Sequence, residues 1–316
     1  MGKTVLVLGS FVADVSFRMA RLPAWGETLM GSAFSMGPGG KGSNQAVAAA
    51  RAGAHTQILT KLGDDAFGRL ARDTWASAGV DASLAITGAV PTGAAAILID
   101  QKRGENAIVV VPGACFTVTP AEIDAAADAV RSAKVVLSQL ELPLDAVERG
   151  LRLARDAGVF TILNPAPAPL EPLPEAFLAL ADLLIPNETE AAQLTGLPVR
   201  TTREAAAAAV ALQRRGARDV IVTLGERGAL VCPLGEEPTP VQSFLAGACV
   251  DTTGAGDAFC GALAAVRAEE MSLIEAAWFA SAAAGISVTR PGTAPSMPHR
   301  GEIEALLAQG RGGAPA

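Results

Sequence analysis

The chain repeats one short unit, in which an amphipathic helical stretch ends at a glycine and a buried strand follows. Gly79, Gly158 and Gly216 end three such helices, and continuous apolar runs follow the last two of them directly. Glycine ends helices by adopting the left-handed conformation, and uninterrupted apolar strands need helices on both faces of their sheet. The repeat therefore predicts an α/β fold with three layers and a mostly parallel central sheet.

The apolar periodicity places the individual elements. Half of the 316 residues are apolar, which is ample for a sizeable core. Helices are predicted over 43–52, 65–78, 120–131, 144–157, 188–195, 202–215, 257–268 and 272–286. Strands are predicted over 5–8, 58–60, 134–140, 159–163, 182–185 and 219–224.

Two segments break the α/β rhythm. Residues 11–40 are rich in Gly and Pro, and residues 93–111 have a strand–turn–strand pattern. Together they predict a small antiparallel β-sheet that projects from the body and acts as a lid over a ligand cleft; a hairpin without a role is the alternative. The body then comprises 1–10, 41–92 and 112–309, and a frayed tail covers 310–316.

Charge and composition exclude several classes of function. The formal net charge of −7 excludes nucleic-acid binding through bulk electrostatics, which needs clustered Lys and Arg. No apolar stretch is long enough for a membrane-spanning helix, so no membrane partner is expected. The four cysteines lack the spacing and density of zinc sites or disulfide scaffolds, and they predict small buried thiols in a reducing cytoplasm.

The strongest candidate for chemistry is the stretch from Asp251 to Phe259, which runs into a predicted helix. Gly254 and Gly256 allow close backbone approach, and amides at a helix N-terminus form an anion site. A carboxylate at Asp257 would repel phosphate there, unless it serves to take a proton from the hydroxyl that attacks the phosphorus. Capping of the helix by Asp257 is the alternative.

A second candidate is the Gly-rich stretch from Gly37 to Gln45, which opens another helix. It is not a Walker A loop, because Ser35 stands at the first Gly position and Gly42 follows the Lys. Lys41 and Asn44 can donate hydrogen bonds to a polyhydroxy ligand. A tight turn with Ser43 as N-cap would explain the glycines alone.

Two weaker candidates follow predicted strands, at residues 187–190 and 223–228. Ligands bind at the carboxyl ends of strands in α/β sheets, so all four stretches could line one cleft. The N-terminal stretch from Gly9 to Val12 lacks the dinucleotide fingerprint, which disfavours a dehydrogenase.

These residues resemble the ribokinases of the PfkB carbohydrate kinase family over nearly the whole chain. Gly39 to Ala48 is similar to the first family signature and Asp251 to Phe259 to the second. Further stretches resemble ribokinases in particular: 139–141, 164–167, 186–190 and 288–292. The resemblance implies an ATP-dependent kinase that phosphorylates the terminal hydroxyl of a sugar, most simply O5 of D-ribose.

The resemblance also implies residue roles. Asp257 would be the catalytic base, and the amides of Gly254, Ala255 and Gly256 would form the anion hole. The sugar would be held by Asp14, Gly40, Lys41, Asn44 and Glu141. Asn187 and Glu190 would organise Mg²⁺ and phosphate through water, with Thr223, Gly225 and Gly228 along the nucleotide. A monovalent cation, usually K⁺, would be held by loops containing Asp251, Thr253, Ser287, Arg290, Gly292 and Ser296, largely through backbone carbonyls.

One position departs from the ribokinase pattern, and other classes stay open. Ribokinases have a sugar-binding Asn two residues before the position of Asp14, and Val12 stands there. An unsatisfied buried hydroxyl costs about 1–3 kcal/mol, so a deoxyribokinase is the alternative. A nucleoside kinase of the same family and a non-catalytic sugar-binding regulator are further alternatives. The lid in this family often pairs with a second subunit, which implies a homodimer.

Overall fold

The computed structural model describes residues 3–103, 105–169 and 171–310. Its strands, in chain order, are β1 (Thr4–Leu8), β2 (Val12–Met19), β3 (Ala33–Gly39), β4 (His55–Gly63), β5 (Val80–Asp81), β6 (Ala85–Gly88), β7 (Thr92–Asp100), β8 (Asn106–Gly113), β9 (Val135–Ser138), β10 (Phe160–Leu163), β11 (Leu183–Leu184), β12 (Asp219–Thr223), β13 (Ala229–Cys232) and β14 (Thr239–Val241). Apart from Gly310, the tail predicted to fray lies outside the described residues.

The helices alternate with these strands as the repeated unit predicts. They are α1 (Lys41–Arg51), α2 (Ala66–Ala78), α3 (Pro120–Ala125), α4 (Ala127–Ser132), α5 (Leu144–Asp156), α6 (Glu175–Leu178), α7 (Glu188–Thr195), α8 (Thr202–Arg214), α9 (Ala255–Arg267), α10 (Leu273–Ser287) and α11 (Arg300–Ala308). Gly79 and Gly196 end α2 and α7 with φ of 76° and 72°. The helix predicted over 120–131 is two helices that meet at Ala126.

The main sheet has the order β14-β13-β12-β11-β10-β9-β1-β4-β5, with β6 also on β4. The pairings from β12 through β5 are parallel, which confirms a mostly parallel sheet. The last two strands, β13 and β14, are antiparallel and complete one edge. Alternate residues of β1 face opposite helical layers: Val5 and Val7 pack into one apolar cluster and Leu6 and Leu8 into the other.

Helices α1 and α9 pack closely against each other on one face of the sheet. Gly261 of α9 lies over Ala48 and Ala49 of α1, and a Cβ at this glycine would come within 2.6 Å of the Ala48 methyl carbon. Small residues on both helices therefore bring their backbones together. This packing places the N-termini of the two helices side by side, as the contacts of Asp257 below demonstrate.

A second sheet, of order β3-β2-β7-β8, stands apart from the main one and matches the predicted lid. The β2–β3 and β7–β8 pairs are antiparallel, but β2 and β7 pair in parallel. The expectation of a wholly antiparallel sheet is therefore wrong. Within the described residues, no helix is both long enough and apolar enough to span a bilayer.

Candidate active site

The Gly-rich turn before α1 gives the site its first wall. Gly40 is the N-cap of α1 with φ of 83°, and a Cβ on it would lie 2.7 Å from the Val12 nitrogen. Only glycine fits there. Ser43 is not the N-cap, contrary to that alternative, because the helix begins at Lys41 and the Ser43 hydroxyl accepts a hydrogen bond from Trp75 Nε1 at 2.9 Å.

The start of α9 gives the second wall. Gly254 is its N-cap with φ of 80°, and no side chain caps the helix. The Ala255 amide donates to the Thr252 carbonyl at 3.3 Å, and the amides that follow it in the first turn can bind an anion. Asp257 lies in the first turn and is buried. Its Oδ2 accepts from Asn44 Nδ2 and its Oδ1 from Gln45 Nε2, both at 2.9 Å. The carboxylate thus accepts hydrogen bonds from side chains of α1 and does not cap its own helix.

Three more of the predicted sugar ligands converge on Asp257. Burial, together with the negative charges of Glu141 and Asp257, raises the pKa of Asp14 to about 6. Burial lowers the pKa of Lys41, but Asp257, Glu141 and Glu190 outweigh burial and the net direction is upward. Lys41 therefore interacts electrostatically with three carboxylates.

Glu141 is fixed at the start of α1. Its Oε2 accepts a hydrogen bond from the Lys41 backbone nitrogen at 2.8 Å and another from the Ser10 hydroxyl. Burial raises the pKa of Glu141, although Lys41 and both hydrogen bonds oppose that rise. Sugar ligands predicted from the lid strand β2, from α1 and from the loop after β9 therefore meet in one cleft.

The two weaker candidate stretches lie next to each other. Asn187 forms a parallel β-bridge with Thr223, and the ion pair between Glu188 and Arg227 joins the turn that contains Gly225 and Gly228. Asn187 and Glu190 form a capping box at the start of α7, with bonds of 2.8 and 2.9 Å.

Glu190 connects this region to the catalytic candidates. Burial raises its pKa, the Asn187 amide and Lys41 oppose the rise, and Asp257 adds to it. Glu190 therefore interacts electrostatically with Lys41 at the start of α1 and with Asp257 in the first turn of α9.

The predicted cation-binding residues come from two loops that Asp251 joins. Asp251 Oδ1 accepts from the Thr253 nitrogen at 2.9 Å and Oδ2 from the Gly292 nitrogen at 3.0 Å. The Ser287 and Ser296 hydroxyls donate to carbonyls three residues earlier, those of Ala284 and Thr293.

Arg290 lies in the second of these loops. Its guanidinium pairs with Glu302, and its backbone nitrogen donates to the Ser287 carbonyl at 3.1 Å. The side chains of this set are thus engaged in local structure, which leaves backbone carbonyls as the available cation ligands.

The sequence does not identify three buried amide side chains of this site, those of Gln45, Gln139 and Asn164, as functional residues. Gln45 also donates to Asn164 Oδ1 at 3.1 Å and accepts from Gln139 Nε2 at 2.6 Å. Gln139 and Asn164 directly follow the buried strands β9 and β10. Amides at two adjacent strand ends, together with a glutamine directly before the small apolar run 46–50 of α1, are the pattern that could have revealed them.

The starts of α1 and α9, the carboxylate of Asp257 that joins them and the lid sheet are features of one known family. The model of the pfkB family carbohydrate kinases matches residues 3–300. The chain belongs to the pfkB family of carbohydrate kinases.

Named relatives of this pfkB carbohydrate kinase include enzymes for two sugars. It is 37% identical to a ribokinase of Haemophilus influenzae over 97% of its own length and 99% of that protein. It is 36% identical to a deoxyribokinase of Salmonella typhi over 93% of its own length and 95% of the relative. A solved structure of Arabidopsis thaliana ribokinase complexed with ribose and ATP superposes with a TM-score of 0.91 at 34% identity, covering 97% and 99% of the two chains.

Proposed function

We propose that this kinase transfers the γ-phosphoryl group of ATP to O5 of D-ribose, giving D-ribose 5-phosphate and ADP. The observation that carries the proposal is the position of Asp257. It lies in the first turn of α9, beside the amides that follow Gly254, and Asn44 of α1 donates a hydrogen bond to its carboxylate. Proton acceptor and phosphate-binding amides therefore share one helix turn. Ribokinase and deoxyribokinase relatives at 36–37% identity support a pentose substrate.

The reaction follows from this geometry. Asp257 takes the proton of the attacking sugar hydroxyl while the hydroxyl oxygen bonds to the γ-phosphorus. The bond from that phosphorus to the bridging oxygen breaks, which releases ADP. The amides from Gly254 to Gly256 stabilise the negative charge on the transferring group. Asp14, Asn44 and Glu141 orient the sugar, and Lys41 offsets part of the negative charge of the carboxylates at the site.

We assign the nucleotide to the edge formed by β11 and β12. Thr223, Gly225 and Gly228 border the nucleotide, and Asn187 and Glu190 face its phosphates. Mg²⁺ characteristically binds through one or two carboxylates, water and substrate phosphates. Glu190 is a buried carboxylate that interacts electrostatically with Asp257 and Lys41, and it fits that mode. Magnesium would neutralise charge on the phosphates.

We assign a monovalent cation, K⁺, to the loops that Asp251 joins. Both oxygens of Asp251 are used on backbone amides of the two loops, and these hydrogen bonds outweigh burial in lowering the pKa of Asp251. The carbonyls of the loops are the donors that suit such an ion. Thr293 extends the same segment to the lid through its hydrogen bond to the Pro38 carbonyl at 2.8 Å.

A second candidate substrate is 2-deoxy-D-ribose, and Val12 is the observation that favours it. Val12 and Asp14 point to the same face of β2 because side chains alternate along a strand. Val12 is buried between Gly39 and Gly93 on the neighbouring strands. An apolar group there suits a sugar that lacks one hydroxyl.

We further propose that the lid sheet pairs with a second copy of this chain. The edge strand β8 exposes Ile108, Val109, Val110 and Val111 by 52–64%, an unusually long apolar run for a protein surface. Phe34 and Met36 of β3, at the opposite edge of the sheet, are also exposed. A homodimer would cover such surface.

A cytoplasmic location remains part of the proposal, supported by the thiols. All four cysteines are free. Cys115, Cys232 and Cys260 are buried, as expected, and burial raises the pKa of the first two to about 12. Cys249 is exposed, so the expectation of burial is wrong for it. Free thiols are typical of a reducing compartment.

The deciding experiment is ATP turnover by the purified protein with Mg²⁺ and K⁺ against ribose, 2-deoxyribose, fructose and a nucleoside. Highest kcat/KM with ribose supports the main proposal, and a clear preference for deoxyribose supports the second candidate. Asp257→Asn should lower kcat by at least about 10²-fold while sugar binding persists. Absence of sugar-dependent turnover, with nucleotide and sugar still bound, would favour the regulator instead.

A further inference from the structure

Gln45 is a fully buried glutamine whose side chain makes three hydrogen bonds. Its nitrogen donates to Asp257 Oδ1 at 2.9 Å and to Asn164 Oδ1 at 3.1 Å, and its oxygen accepts from Gln139 Nε2 at 2.6 Å. An ionised carboxylate only accepts hydrogen bonds, so the nitrogen of Gln45 must face Asp257. Its oxygen must then face Gln139, which fixes the direction of the whole chain of amides.

The far ends of this chain are attached to the central sheet. Asn164, at the end of β10, donates through Nδ2 to the carbonyl of Ile185 at 2.8 Å. The side chain of Gln139, at the end of β9, packs against Gly9, where any Cβ would collide with it. The amides therefore connect Asp257 to the ends of neighbouring strands, which are rigid elements of the fold.

We propose that Gln45 is a positioning residue that holds the carboxylate of Asp257 in the orientation needed for proton transfer, with Gln139 and Asn164 aligning its amide. Asn44 and Gln45 each hold one oxygen of Asp257, so the carboxylate cannot rotate without losing a hydrogen bond. Gln45 is fully buried and therefore contacts Asp257 from the protein interior. The proposal rests on the assignment of Asp257 as the base.

The isosteric variant Gln45→Glu tests this role through its dependence on pH, because the introduced carboxyl lies next to the charge of Asp257. The introduced carboxyl fills the same volume and, while protonated, can donate to Asp257 Oδ1 as the amide does. Once ionised it cannot donate, and it repels Asp257. The groups that interact electrostatically with Asp257 from the surrounding elements are Asp14 on β2, Lys41 on α1, Glu141 after β9, Glu190 on α7 and Cys260 on α9.

The test measures kcat and sugar KM for the wild type, Gln45→Leu and Gln45→Glu from mildly acidic to alkaline pH. Gln45→Leu should lower kcat about 10- to 100-fold and change KM less than about twofold, because only the orientation of the base is disturbed. The kcat of Gln45→Glu, divided by that of the wild type, should fall as pH rises through the pKa of the new carboxyl. A purely space-filling role predicts a ratio independent of pH.

Two further variants separate the possible failures. Gln139→Met removes the donor to Gln45 without touching Asp257, and should lower kcat less than Gln45→Leu does. If Asp257→Asn stays active, the assignment of the base fails. If Asp257→Asn is inactive while Gln45→Leu keeps wild-type kcat, or the Gln45→Glu ratio is constant with pH, the positioning role alone is overturned. Should Gln45→Leu not fold, the pH dependence of Gln45→Glu still decides.

Discussion

Asn44 Nδ2 donates to Asp257 Oδ2 at 2.9 Å although 213 positions separate the two residues in the sequence. The bond joins the first turns of α1 and α9. It brings a residue assigned to the sugar into contact with the assigned base, so the acceptor hydroxyl and its proton acceptor are held by one pair of helix ends.

Replacement of Asn44 should damage both binding and turnover. Asn44→Ala removes a hydrogen bond to a charged group, worth about 1.5–3 kcal/mol, and one sugar contact. We expect kcat/KM to fall by about 10²-fold or more, with KM raised and kcat lowered together. Asn106→Ala, at an exposed lid position, is the matched control. Unchanged steady-state constants for Asn44→Ala would contradict its place at the sugar.

Val12→Asn should shift the preference between the two pentoses. The new amide can pair with a hydroxyl that Val12 leaves without a partner, which is worth about 1–3 kcal/mol. The ratio of kcat/KM for ribose to that for 2-deoxyribose should therefore rise at least about tenfold. Competition assays with both sugars measure it directly. A constant ratio would show that Val12 does not face the position of that hydroxyl.

Sugar affinity should depend on pH through Asp14. An ionised Asp14 accepts hydrogen bonds from sugar hydroxyls, and its pKa of about 6 places the loss of that charge in mildly acidic solution. As pH falls through this value, the carboxyl is protonated and kcat/KM for the sugar should fall, approaching about tenfold per pH unit. Asp14→Asn should have a lower kcat/KM without this acidic limb. An identical limb in that variant would assign the titration to another group, such as Glu141.

Cation activation should depend on Arg51. This residue ends α1, and its Nη1 donates to the carbonyls of Ala294, Pro295 and Met297 at 2.7–3.1 Å, on both sides of Ser296 in the segment assigned to K⁺. Arg51→Met should raise the half-activating K⁺ concentration about tenfold or more and leave kcat at saturating K⁺ nearly unchanged. Arg72→Met, which removes a carbonyl contact far from the loop, is the control. Equal K⁺ dependence in both variants would refute the assignment.

The lid edge should control subunit association. The double variant Val109→Glu, Val111→Glu places charges on β8 and should convert a dimer to a monomer in light scattering, with little change in melting temperature. Leu245→Glu, at another exposed apolar residue, should keep the mass of the wild type. A wild-type protein that is already monomeric would contradict pairing through the lid.

Local periodicity predicts the framework of this kinase well. The helices predicted to begin at 43 and 257 begin at Lys41 and Ala255, close to their predicted starts. Backbone preferences and apolar patterns are local properties that can be read from the sequence. Gly40 and Gly254 lie directly before the two helices and mark their starts. The family resemblance predicts that Asp14, Glu141 and Asp257 act at one site. The charges of Glu141 and Asp257 raise the pKa of Asp14, and the roles of the three carboxyl groups stay a prediction.

Non-local pairings are what the sequence does not reveal. The antiparallel strands β13 and β14 and the parallel contact of β2 with β7 depend on where distant segments meet. Serine is a common N-cap residue, yet the hydroxyl of Ser43 accepts a hydrogen bond from Trp75 Nε1. The amides around Gln45 become a network only when two strand ends and two helices come together.

The close packing of α1 on α9 through Gly261 also sets the order in which activity can arise during synthesis. A nascent chain that has emerged as far as β14 carries the lid, the Gly-rich turn before α1 and every described strand of the central sheet. It still lacks the amides assigned to phosphate, the assigned proton acceptor and the helix against which α1 rests. Catalytic competence is therefore among the last properties the growing polypeptide acquires, and a product truncated before α9 would expose the small-residue face of α1 to chaperones and proteases.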